Sequence, residues 1–86
     1  MKKFLVVLNA YPEDGLIDAR SAGMEKLIRQ KGIEGLESIR VGRSVRMIIR
    51  CNSLDTLIER VEKMVSALVD EVLENYEVEI EELANE

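Results

Sequence analysis

Four arginines stand close together in the middle of the chain: Arg40, Arg43, Arg46 and Arg50. A guanidinium offers five N–H donors in a fixed fork and pairs well with carboxylates and phosphates. The chemistry such a group supports is recognition rather than bond breaking. Like charges stacked on one surface repel, and Ile48 in their midst is an apolar residue with no cover of its own. A partner covering this face relieves both problems. No aromatic residue interleaves with the arginines to stack bases, so nucleic acid is not the expected ligand. The group reads either as a plain solvated sheet face or as a docking surface for an acidic partner or phosphate, and in the second reading Arg40, Gly42, Arg43, Arg46 and Arg50 are the candidate partner contacts.

The other reactive residues point to structure. The sequence has no histidine, which excludes a histidine-dependent triad or a histidine metal site within this chain. Gly32, Gly35 and Gly42 are scattered and match neither phosphate-binding fingerprint. Cys51 is the single cysteine, so no internal disulfide forms and a reducing cytoplasm is the fitting compartment. It sits on the apolar side of its strand pattern and reads as a buried structural thiol. Glu77, Glu79, Glu81 and Glu82 could attract a cation. A calcium site also needs a curved loop that offers carbonyls, so the run reads as a solvated edge that resists aggregation. No catalytic residue and no metal ligand are expected in this chain.

The elements that position these residues follow from periodicity. Ile39 and Val41 alternate with Ser38 and Arg40, and Val45, Met47, Ile49 and Cys51 alternate with Arg46, Ile48 and Arg50. This period of two predicts a β-hairpin over residues 36–52, with Gly42 at the turn. A three-residue loop of Gly42, Arg43 and Ser44 sets Val41 opposite Val45 and keeps the apolar faces matched. The arginines then share the opposite face and the tip.

Before the hairpin, residues 3–10 form a near-continuous apolar run that predicts a central strand covered on both faces. A Pro- and Gly-containing loop with Gly15 leads to Asp18, the expected cap of a helix over residues 19–31. Gly23 costs about 1 kcal/mol in a helix interior and is expected where another backbone comes close. Gly32 fits the helix end. After the hairpin, Ser53 caps a helix with an apolar stripe through Leu54, Leu57, Ile58, Val61, Met64, Val65, Leu68 and Val69. Tyr76, Val78 and Ile80 alternate with glutamates in a closing strand, and residues 82–86 read as a frayed tail. The order is β-α-β-β-α-β in one α+β domain over residues 1–86, an antiparallel sheet covered by two helices.

Eighty-six residues make a marginal core, which favours an oligomer or a larger complex. The net charge of −5 is unevenly spread. Residues 1–50 carry a balance of +4 and residues 51–86 a balance of −9, as complementary surfaces would require. The overall acidity also speaks against nucleic acid. The apolar run at residues 4–8 is too short for a secretory leader, and no stretch could span a membrane.

Three segments resemble the PurS family, the small subunit of phosphoribosylformylglycinamidine (FGAM) synthase. Gly15-Leu-Ile-Asp-Ala-Arg-Ser is similar to the family's G-V-L-D-P-Q-G loop. Ile39-Arg-Val-Gly-Arg is similar to its V-R-V-G-K turn, and Val72-Leu-Glu-Asn-Tyr-Glu-Val-Glu-Ile to its closing V-I-E-D-Y-x-V-x segment. The family's Pro and Gly after the Asp are here Ala19 and Ser21, and its Asn-Pro before the last segment is here Asp70-Glu71. The resemblance implies a non-catalytic cytoplasmic subunit that forms a homodimer or homotetramer. It implies a bridge between PurL, which uses ATP and magnesium, and the glutaminase PurQ, with glutamine as the ammonia source. The chain itself is expected to hold no cofactor. The competing expectation is a free-standing dimeric module of similar fold that binds a small regulatory molecule.

Overall fold

The computed structural model describes residues 1–13 and 18–84. The elements run β1 (Lys2–Pro12), α1 (Ala19–Gln30), β2 (Arg43–Cys51), α2 (Leu54–Leu68) and β3 (Glu74–Leu83). The strands form one antiparallel sheet in the order β2-β1-β3. The α+β class, the antiparallel sheet, the two helices and the central first strand are those the sequence predicts.

The predicted hairpin is not formed. The arm from Val45 to Cys51 pairs with β1, Val45 against Leu8 and Cys51 against Lys2. Residues 33–42 lie outside any ladder. Alternation had defined the two faces of β2 correctly but not its partner. Strand pairing depends on which apolar face is buried together, and β1 offers the longer one.

Each element has a local cause. Phe4, Val6, Leu8 and Ala10 point to one side of β1 and are buried. Val45, Met47, Ile49 and Cys51 extend that face on β2. Across it lies α2, whose Leu57, Val61 and Val65 are buried at helical spacing. Each such side chain contributes about 1.5–3 kcal/mol through removal from water. Ser53 caps α2: its Oγ accepts from the Thr56 N–H at 3.2 Å. Cys51 is buried, and its thiol donates to the Ser53 carbonyl.

The helix ends by a different device. The Val69 N–H still donates to the Val65 carbonyl, and Asp70 then turns the chain. Its Oδ1 accepts from the Val72 and Leu73 N–H groups at 3.0 and 3.2 Å. An Asx turn of this kind does the work of a proline-containing loop. The closing strand runs through Leu83, further than the alternation predicts. Glu82 and Leu83 pair with Phe4 and Lys3, and Glu82 reaches Lys2 at 3.6 Å.

The two helices stand differently to the sheet, and α2 is the one packed across it. Among the described residues α1 makes no close backbone approach to the strands or to α2. Its one buried residue is Ser21, and Met24 and Leu27 are exposed. The radius of gyration is 16.9 Å, against about 12 Å expected for a compact domain of this length. A 12-residue helix is marginal in water without tertiary support, so the fold leaves α1 in need of a partner. Gly23 meets nothing within 4 Å, contrary to the close approach its presence suggested.

Candidate partner-docking surface

The five predicted contact residues separate into distinct groups. Gly42 is not a hairpin turn, and it is not among the described glycines with positive φ. It lies against the end of β1: a Cβ there would stand 2.1 Å from the Ala10 carbonyl oxygen and 2.9 Å from Tyr11 Cβ. Glycine is required for close approach rather than for backbone freedom.

Arg43 is an internal clamp. Its guanidinium donates to the Leu68 carbonyl at the end of α2 and to Glu74 Oε1 at 2.9 Å. It thereby satisfies an orphan carbonyl at the helix C-terminus, where positive charge is also favoured. Glu74 Oε1 accepts from the Asp70 N–H at 3.0 Å as well. The Arg43 hydrogen bond, then the Asp70 amide, hold the Glu74 carboxyl below the ordinary carboxylate range. Arg40 lies outside β2, with its guanidinium 5.5 Å from the centre of the Tyr11 ring.

Arg46 and Arg50 remain exposed on β2, on the face of the sheet away from α2. Exposed Ile48 lies between them. The register places this face in rows. Arg46, Val7 and Glu79 form one row, Ile48, Leu5 and Glu81 the next, and Arg50, Lys3 and Leu83 the third. Basic residues thus occupy one edge strand, acidic residues the other, and an apolar ridge runs between them. A shallow depression of about 410 Å³ lies here, lined by Leu5, Val7, Arg46 and Glu79 among others. Glu77 is engaged by the Tyr11 hydroxyl, which donates to its Oε1 at 3.1 Å. Among the described residues Arg46, Arg50, Glu79 and Glu81 form no ion pair within the chain.

Asp18 is the α1 cap, as predicted. Its Oδ1 accepts from the Arg20 N–H at 3.1 Å, and its Oδ2 accepts from the Ser21 hydroxyl at 2.7 Å. The Ser21 hydrogen bond, then the Arg20 amide, hold its carboxyl below the usual range. Ser21 Oγ in turn accepts from the Val41 N–H at 2.8 Å. One hydroxyl therefore ties the start of α1 to the chain entering β2. Gly15 lies outside the described residues.

Leu5, Val7 and Glu79 are members of the open face that reasoning from the arginines did not gather. A signal existed: the continuous apolar run of β1 supplies one apolar set to α2 and a second, Leu5 and Val7, to the opposite face. In the single chain that second set is only half-buried.

The PurS model of FGAM synthase matches residues 6–82. Comparison with curated protein sequences finds no match. Solved structures are similar over nearly the whole chain. The PurS subunit of Thermotoga maritima FGAM synthase is 26% identical, with a TM-score of 0.80 over 94% of this chain and 92% of that one. A chain in the structure of PurLQS from the same organism is 25% identical, with a TM-score of 0.83 over 96% and 100%. Thermus thermophilus PurS, 23% identical, shares the fold with a TM-score of 0.83 over 95% and 99%. With the family model matching all but the ends of the chain, this protein belongs to the PurS family, the small subunits of FGAM synthase in purine biosynthesis.

Proposed function

We propose that this chain acts as the non-catalytic PurS subunit joining an ATP-dependent PurL subunit to a PurQ glutaminase. Ammonia released from glutamine then amidates formylglycinamide ribonucleotide. ATP and magnesium are handled by PurL and glutamine by PurQ, in the cytoplasm. No helix among the described residues is long and apolar enough to cross a membrane, which agrees with this placement.

The observation that carries the reading is the likeness to a chain of PurLQS over 96% of this chain and 100% of that one, within a family match. The shape supports it. An uncovered α1 and an open sheet face with separated charges are surfaces for neighbours, and the exposed arginines suit protein carboxylates. Mixing the chain with PurL and PurQ of the same organism, with glutamine, and passing the mixture over gel filtration tests the assembly. Comigration of the three supports the reading. Elution of this chain alone, under conditions where PurL is active with ammonia, contradicts it.

A further inference from the structure

We infer that the groove between α2 and β3 is the seat of a basic amphipathic helix from a partner protein. The groove lies on the α2 side of the sheet, opposite the face that carries Arg46 and Arg50.

Its cause is geometric. A helix with its side chains is about 10 Å across, twice the spacing of neighbouring strands. One helix therefore covers about two strands of a three-stranded sheet. α2 lies to the β2 side. Arg60 donates to the Arg50 carbonyl at 3.3 Å, and Arg43 of β2 holds the Leu68 carbonyl. Among the described residues α2 makes no close backbone approach to β3.

The uncovered strip is apolar. The register puts Tyr76, Val78 and Ile80 of β3 on the same side as Ala10, Leu8 and Val6. Val78 packs on the edge of the core, while Tyr76 and Ile80 are exposed. Ile58 stands one turn before Glu62 on α2 and is exposed as well. A depression of about 340 Å³ lies between the two elements, with Val61, Val65 and Val78 as its apolar lining. From Tyr76 to Ile80 the strip runs about 13 Å, the length of two to three helical turns. A second helix about 8–10 Å from α2 completes the layer over the sheet.

Charge selects the kind of helix. Glu62 and Glu71 line the depression, and none of its described lining residues is a lysine or arginine. Neither glutamate is in an ion pair among the described residues. Asp55 precedes Ile58 and Glu62 on the same flank of α2, at i,i+3 and i,i+7 spacing. An apolar floor with acidic walls is complementary to a helix whose apolar stripe is flanked by lysines or arginines. Helix α1 of a second copy fits less well. Two of its cations, Arg20 and Arg29, are already held by Asp18 and Glu25.

The test uses the isolated full-length chain, so it stands apart from the FGAM synthase assignment. The probe is a fluorescein-labelled synthetic helix of about 18 residues, with leucines on one stripe and lysines beside it. Fluorescence anisotropy at about 0.15 M salt keeps remote charges screened. The lysine peptide should bind at least about tenfold more tightly than the same peptide with glutamates in place of lysines. E62K/E71K should weaken the lysine peptide about tenfold or more and reverse the preference between the two peptides. E79K/E81K changes the net charge equally on the opposite face, and should leave the affinity within about threefold. Ile58→Asp should weaken both peptides. These positions are exposed, and circular dichroism verifies folding; E62Q/E71Q replaces the lysine pair if that fails to fold, with a loss of about threefold expected. Equal losses for the two charge pairs, or no preference for the lysine peptide, overturn the inference. Sedimentation with saturating peptide decides between occupants. Copies that separate as the peptide binds assign the groove to a second copy and overturn it, and an unchanged number of associated chains supports it.

Discussion

Replacing Gly42 by alanine isolates one contact. Its φ is not positive, so alanine meets no backbone penalty and the effect is steric. The added Cβ would lie 2.1 Å from the Ala10 carbonyl oxygen, where an ordinary carbon–oxygen contact is about 3.3 Å. A gap of more than about 1 Å must open between the end of β1 and the chain entering β2. The neighbour that must move is backbone, and it belongs to the last pair of the ladder, Ala10 with Arg43. Displacing it also pulls the Arg43 guanidinium away from Leu68 and Glu74. Overpacking costs about 1–3 kcal/mol and each hydrogen bond lost about 1, so the expected loss is about 2–3 kcal/mol. At about 4–8 °C per kcal/mol, the melting temperature should fall by roughly 10–20 °C. Urea and thermal unfolding followed by circular dichroism measure the two quantities, at one fixed protein concentration because association shifts apparent stability. Gly23→Ala is the control. Its site is open and helical, so it should be neutral or stabilising by up to about 1 kcal/mol. A loss below about 0.5 kcal/mol for G42A would refute the close-approach account.

Leu57 is fully buried beneath the sheet, and Leu57→Ala should cost about 2–5 kcal/mol in the same urea assay. Ser21→Ala removes two hydrogen bonds at once and should cost about 1–2 kcal/mol. Asp18→Ala should cost about 0.5–2 kcal/mol, with the double variant losing less than the two single losses together, since they share a bond. Glu74 titrates below its ordinary value because Arg43 and the Asp70 amide favour its charged form. Its stabilisation is therefore complete above the ordinary glutamate value of about 4.3 and is lost as pH falls through the lower folded value. Glu74→Gln should flatten the acid limb of the stability profile in that window and leave its neutral-to-basic shape unchanged.

The parts of the fold legible in the sequence were those set by local chemistry. Ser53 and Asp18 announce helix starts because their side chains can hold orphan amides and hydrophobic residues follow at helical spacing. Gly32 marks the end of α1 because it can take the positive φ of 75° found there. Alternation divided β2 into an arginine face and an apolar face, and both are present. Pairing was not legible. Residues 39–41 carry the same alternation as β2, and nothing local distinguishes them from β1 as a neighbour. The arginines illustrate the same limit within the candidate site. Spacing brought four of them together, but Arg43 is claimed by a helix end 25 residues away and Arg40 by the Tyr11 ring. Only Arg46 and Arg50 stay on the open face. Their acidic counterparts, Glu79 and Glu81, come from the far end of the chain and join that face only through the register of β3 on β1.

Subunit function is tested most directly by comparing the two nitrogen sources. PurL and PurQ from the same organism are assayed for amidation of formylglycinamide ribonucleotide, with ammonia or with glutamine, with and without this chain. A bridging subunit predicts that ammonia supports the reaction in either case, whereas glutamine supports it only when this chain is present. Equal glutamine-dependent rates with and without the chain would contradict the account, leaving a PurS fold without the PurS role in that complex.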